Sequence, residues 1–188
     1  MRIVGGRLRG RKLAVPKSQN IRPTADRVRE SLFNILEHKY CDCLYGARVL
    51  DVFAGTGALG IEALSRGAAQ VVFIENGVEA RRLLRQNVEI LGLTGNTRVI
   101  NRDATNPGPC HPNQPFDLVF ADPPYGKGLG EKAIAALIGQ GWLAEGTLFL
   151  LEEEKTALPK TIDGFTALER RDFGITSNGL YRYLRGNA

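Results

Sequence analysis

Cys41, Cys43 and Cys110 are all the thiols in this 188-residue chain. A sparse, odd set of that kind excludes the disulfide framework of a small secreted domain, so partly buried thiols are expected. Taken with His38 and His111, they fit no common finger or ribbon spacing, and no metal site is expected. No apolar run approaches the ~20 residues that cross a bilayer. The opening Met1-Arg2-Ile3-Val4-Gly5-Gly6 has no signal-peptide core, which makes a cytoplasmic protein without membrane contact the default. Internal repeats are lacking too. Because 43% of the residues are hydrophobic and 24% charged, the chain reads as an ordinary globular protein with one substantial core. A single domain over 1–188 is expected, with a basic arm and helix over 1–40, the core over 41–188, and a monomer as the default state.

Charge is unevenly spread. The whole chain carries +5, yet residues 1–30 alone hold nine Lys or Arg against Asp26 and Glu30, so the rest is slightly acidic. Arginine dominates that excess, and it is interleaved with Gly5, Gly6 and Gly10, which let backbone approach a surface closely. This reads as an arm for a polyphosphate such as RNA, carried by Arg7, Arg9, Arg11, Lys12, Arg22 and Arg27. A merely solvated basic terminus is the alternative.

Hydrophobic periodicity orders the remainder. A helical repeat from Asp26 to about Lys39 is followed by alternating elements. Strands are expected over 48–53, 71–74, 97–101, 116–121 and 147–151, with helices over 61–65, 79–91 and 131–138. Such alternation, with strands apolar on both faces, predicts an α/β fold: a mostly parallel sheet with helices on each side. Two more extended runs, 165–171 and 180–184, are separated by a turn region over 174–179 rather than a helix, so they should pair antiparallel. A parallel sheet closed by such a hairpin is the arrangement of Rossmann-like methyltransferases.

Gly55-Thr56-Gly57-Ala58-Leu59-Gly60 fits a nucleotide-binding turn between strand and helix, and Glu75 lies where an acid accepts hydrogen bonds from a ribose diol. Neither feature separates NAD from S-adenosylmethionine. Asp51, inside the first strand, does: it would oppose a pyrophosphate but helps to hold a cationic methionyl ammonium. Asp103-Ala104, after the third strand, offers a carboxylate to the adenine amino group, with a helix cap or turn as the alternative for Asp103.

Asp122-Pro123-Pro124-Tyr125 follows the apolar run 116–121 directly. The amine of a nucleobase is a weak nucleophile, so an enzyme that alkylates it must hold it with acceptors. Asp122 supplies one oxygen. Proline lacks an N–H and has restricted φ, so the Pro123 carbonyl can act as a second acceptor without a local donor competing for it, while Tyr125 offers a face for stacking.

With these residues in view, the chain resembles the bacterial guanine-N2 methyltransferases of small-subunit (16S) ribosomal RNA. The likeness runs through residues 5–13 (GGRLRGRKL), 22–36 (RPTADRVRESLFNIL) and 50–68 (LDVFAGTGALGIEALSRGA) to Asp122-Pro123-Pro124-Tyr125. It departs at Asn76-Gly77, in place of a charged pair, and matches loosely over 174–181. The resemblance implies a class I methyltransferase fold with a seven-stranded sheet. It places S-adenosylmethionine at Asp51, Ala54, Gly55, Gly57, Glu75, Asp103 and Ala104. A flipped guanine would be held by Asp122, Pro123, Pro124 and Tyr125, in RNA of a small-subunit particle. Asp-Pro-Pro-Tyr also resembles DNA adenine methyltransferases. An NAD-dependent oxidoreductase is disfavoured by Asp51 and by the lack of an evident hydride-transfer acid or base, and an RNA-binding assembly factor is the non-enzymatic alternative.

Overall fold

Each apolar run from residue 48 onward becomes an element of one sheet or of its covering helices. The computed structural model describes residues 1–16, 23–40, 43–111 and 114–184. The helix α1 spans Pro23–Lys39; then follow β1 (Arg48–Val52), α2 (Ala58–Ser65), β2 (Gln70–Ile74), α3 (Val78–Ile90), β3 (Thr97–Ile100), β4 (Phe116–Ala121), α4 (Leu129–Gly139), β5 (Leu143–Glu154), β6 (Phe165–Phe173) and β7 (Thr176–Tyr183). The strands form a seven-stranded sheet of order β3-β2-β1-β4-β5-β7-β6. Pairings from β3 across to β5 are parallel, and β7 runs antiparallel to both β5 and β6.

Alternation along each strand sends side chains to two apolar layers. Val49, Phe73, Leu118, Phe120, Leu150 and Leu180 meet α1, α2 and α3 on one face, where the Phe33 and Phe120 rings lie 5.5 Å apart. Leu50, Val72, Val119, Phe149 and Leu151 meet Ala133, Ile134 and Leu137 of α4 on the other. Because the parallel strands are covered on both sides, their C-terminal ends are the edge at which loops can build a site.

Two expectations change. The turn read over 174–179 shrinks to Gly174 and Ile175, and Ser177, Asn178 and Gly179 run inside β7. These are turn formers by propensity, but pairing with β5 and β6 on both sides overrides that preference. Gly179 has a packing reason, since a Cβ there would lie 2.5 Å from the Tyr181 hydroxyl oxygen. The second change concerns the N-terminal segment. Residues 1–16 are a folded loop rather than a projecting arm: Arg2 bridges to Lys12, Ile3 N–H donates to the Arg11 carbonyl at 2.9 Å, and Ile3, Val4 and Leu13 are buried. Gly5 and Gly6 do serve close approach, but toward α2, since a Cβ on Gly6 would lie 2.0 Å from the Ser65 carbonyl oxygen.

Buried charge locks this loop and α1 to α2. Glu62, with no exposed surface, accepts from the Val4 N–H at 2.9 Å and from the Arg66 guanidinium at 2.8 Å. Arg29, also buried, pairs with Asp26 at 2.9 Å, faces Glu62 at 3.7 Å and donates to the Arg2 carbonyl. Arg29 therefore belongs to the framework, although it counts toward the basic excess of the first 30 residues.

Candidate active site

The strand-to-helix turn after β1 is built on left-handed backbone. Gly55 and Gly57 have φ of 56° and 79°, conformations that glycine adopts without strain. Gly57 also abuts the core, where a Cβ would meet Leu84 Cδ1 at 2.3 Å. Phe53, just before the turn, holds φ of 58°, the only positive value among the described residues other than glycine. A bulky residue there is strained, and such strain gathers at ligand sites.

Two acids brace the turn. Asp51 is buried and accepts from the Gly60 N–H at 2.9 Å, which anchors the first turn of α2 to β1. Burial pushes its pKa well above the ordinary range; the Gly60 bond opposes this, and the nearby charges of Asp122 and Glu75 add to it. Glu75, at the end of β2, takes the Gly55 N–H on one carboxylate oxygen and the Gly77 N–H on the other, each at 2.7 Å. Each oxygen retains acceptor capacity for a ribose hydroxyl.

Asp122 begins the loop after β4, within a cavity of about 330 Å³ lined by Phe53, Glu75, Asn76, Asp122, Pro123, Pro124 and Tyr125. Its surface is reached by solvent from the cleft, yet protein encloses it closely. Burial, then the Glu152 and Glu153 charges, push its carboxyl up to about 7. The loop is held from β5: Tyr125 Oη donates to Glu152 at 2.8 Å, and the Gly126 N–H donates to Glu153 at 2.9 Å. The Tyr125 hydroxyl is pushed up strongly, first by burial and then by the charges of Asp122, Glu152 and Glu153.

The structure therefore brings Glu75, Asp122, Pro123, Pro124 and Tyr125 to one cavity and places Ala54, Gly55, Gly57 and Asp51 in the turn and strand behind it. Asp103 is exposed and accepts from both the N–H and the hydroxyl of Thr105, at 2.8 and 2.7 Å, which lowers its pKa. That is the turn role weighed as its alternative. Ala104 packs into the apolar layer. Arg7, Arg9, Arg11, Lys12 and Arg27 are exposed, and Arg22 lies outside the described residues. Among the cysteines, Cys110 is buried, Cys43 half-buried, and Cys41 lies outside the described residues.

Four contributors lie outside the residues that the sequence motifs single out. Glu152 and Glu153 follow an apolar strand as part of an acidic run, a signal that was present but lay past the expected strand end at 151. Asn87 is a polar residue on the apolar face of α3. Its amide donates to the carbonyls of Ala14 and Thr56 at 3.1 and 3.0 Å, and its oxygen accepts from the Ala14 N–H at 2.7 Å, so one side chain ties the N-terminal loop to the glycine turn. For Phe53 nothing in the residue type announces a left-handed backbone.

The cavity lining carries two carboxylates and no Lys or Arg, and the charges of Asp122 and Glu75 both bear on the buried Asp51. A pyrophosphate would add to that negative charge and a cation relieves it. That charge suits a cofactor with a cationic reactive centre, and the strand order is that of the Rossmann-like, S-adenosylmethionine-dependent methyltransferases, the class to which this protein belongs. Residues 1–182 match the family model described as conserved hypothetical protein 95. Over 97% of the chain it is 42% identical to Ribosomal RNA small subunit methyltransferase D of Escherichia coli strain K12, covering 89% of that protein. The protein of the same name from Haemophilus influenzae is 40% identical over 97% of this chain and 93% of its own length. A solved Escherichia coli structure superposes with a TM-score of 0.82 at 38% identity, covering 99% of both chains. The chain belongs to this family, which includes the ribosomal RNA small subunit methyltransferase D proteins.

Proposed function

We propose that this chain methylates the exocyclic N2 amine of a guanine in small-subunit ribosomal RNA, from S-adenosylmethionine. The observation that carries the reading is the shared cavity: the acceptors of Asp122-Pro123-Pro124-Tyr125 face the same space as Glu75, whose carboxylate holds the glycine turn. Kinship with the small-subunit rRNA methyltransferases supports the RNA class.

S-adenosylmethionine supplies a methyl group already activated by positive sulfur, so the work left to the protein is alignment and charge. Glu75, the turn of Ala54, Gly55 and Gly57, and the field of Asp51 would hold it, with Asp103 and Ala104 flanking the adenine end. Asp122 and the Pro123 carbonyl accept the two amino hydrogens, which directs the nitrogen lone pair away from the ring plane and toward the donor. As positive charge develops on that nitrogen, the Asp122 carboxylate stabilises it and stands ready to take the proton. Pro124 removes a competing N–H, and Tyr125 presents its ring for stacking.

RNA contact is assigned to Arg7, Arg9, Arg11, Lys12, Arg22 and Arg27. A cytoplasmic single-domain monomer acting on an assembled small-subunit particle completes the proposal; no helix among the described residues is long and apolar enough to cross a membrane. Labelled methyl transfer offered in parallel to particles, naked ribosomal RNA and duplex DNA tests the substrate class. Incorporation into small-subunit RNA is expected, and incorporation confined to DNA would overturn it.

A further inference from the structure

Asp-Pro-Pro-Tyr holds an amine, but an adenine or cytosine amine would satisfy the same acceptors, so the motif alone does not choose guanine. The choice lies one strand away. Ala121 of β4 pairs with Leu151 of β5, which puts Asp122 and Glu152 side by side, one residue further along, at the ends of adjacent parallel strands. Glu152 is half-buried, and its carboxylate stands 2.8 Å from the hydroxyl of Tyr125, at the far tip of the ring assigned to stack the base. It is close enough to Asp122 to disfavour that group's ionisation.

We infer that Glu152 is the residue that selects guanine, by accepting the N1–H of the base while Asp122 and the Pro123 carbonyl hold its N2 amine. Guanine presents two neighbouring donors, N1–H and the N2 amine, along one edge, and two neighbouring carboxylates match them. Adenine sets an acceptor, N1, beside its N6 amine, and cytosine sets N3 beside its N4 amine. Either base would turn a lone pair toward the Glu152 carboxylate. A polar group built to receive an N–H and left facing a lone pair rejects the wrong base far more strongly than a missing apolar contact does. The inference rests on the guanine reading above and extends it to the residue that enforces it.

The test compares guanine with 2-aminopurine at the methyl-accepting nucleotide of small-subunit particles reconstituted from synthetic RNA. That analogue keeps the C2 amine and lacks N1–H. Glu152→Gln keeps an oxygen acceptor for the Tyr125 hydroxyl, so the loop stays anchored while the charge is lost. The unaltered protein should favour guanine over 2-aminopurine in kcat/KM by at least about tenfold. In Glu152→Gln the guanine rate should fall by at least about tenfold while the 2-aminopurine rate changes little, because the Gln amide can donate to the unprotonated N1. A discrimination ratio equal in both proteins, with both rates lowered together, would reduce Glu152 to an anchor for Tyr125 and overturn the inference. Equal use of both bases by the unaltered protein would do the same. Absence of transfer to the guanine particle would instead remove the underlying reading and this inference with it.

Discussion

The proposed mechanism sets up a conflict at Asp122, where an ionised carboxylate would hold the amine while its surroundings resist ionisation. Its folded pKa, about 7, lies above the ordinary carboxylate value, so its stabilising contribution is present at low pH and is lost as pH rises through 7. Two outcomes follow for Asp122→Asn. At pH 8 the variant should unfold later than the unaltered protein, by about 1–2 kcal/mol once solvent screening in the cleft is allowed for. The gain should shrink steadily toward pH 4, as seen in denaturant midpoints across that range. Methyl transfer should drop by at least about a hundredfold, and kcat/KM of the unaltered enzyme should climb as pH passes 7. For Glu75→Ala, calorimetric titration should show S-adenosylmethionine binding weakened by about tenfold or more, since the ribose acceptor and the Gly55 anchor vanish together. Unchanged affinity would count against that role. The placement of Asp122 and Glu75 at one cavity was readable from the chain, because one sits in a short motif and the other follows the glycine turn at a set spacing. Glu152 was not, because its meaning depends on which residue of the neighbouring strand it stands beside.

Among the elements, α3 carries two tasks on one face: Leu83, Leu84 and Val88 fill the core, and Asn87 hangs both the N-terminal loop and the glycine turn from one amide. Asn87→Ala leaves three backbone groups without their partner. It should cost about 2–3 kcal/mol in chemical denaturation and expose the loop around Ala14 to protease, with weaker cofactor binding as the second readout. Gly57→Ala should cost about as much by a different route, since φ of 79° and an approach of 2.3 Å leave a methyl group no place. The strands and helices themselves were readable from periodicity to within a few residues at most ends. β5 was the exception: its apolar middle was evident, while its acidic end is held in the sheet by pairing with β7 through Glu154 and Thr176. That partnership is non-local, and no local propensity announces it.

On the scale of the whole molecule, the charge asymmetry divides in two. Arg29, and Arg2 at 3.6 Å from Asp26, serve the framework, while Arg7, Arg9, Arg11 and Lys12 remain exposed on a loop whose ends touch the glycine turn through Asn87 and Met1. The proposed RNA contact falls on this basic surface. Replacing Arg7, Arg9 and Arg11 together by Gln should weaken RNA binding and lower the log–log salt slope by about 0.7–0.9 for each phosphate that is no longer neutralised. An unchanged slope would make the loop a purely structural element. The basic excess was evident from composition; that the same segment is folded against α2 was not, because Gly5 and Gly6 look alike whether they approach RNA or the protein's own helix.

In the proposed reaction, the paired acceptors after β4 present the N2 amine of a guanine to the methyl donor. Small-subunit particles from cells lacking this protein, incubated with it and S-adenosylmethionine and then digested to nucleosides for mass analysis, show whether that transfer occurs. The expected product is N2-methylguanosine, absent from the untreated particles and from those treated with Asp122→Asn. A methylated adenosine or cytidine in its place, or no new methylated nucleoside at all, would contradict the account.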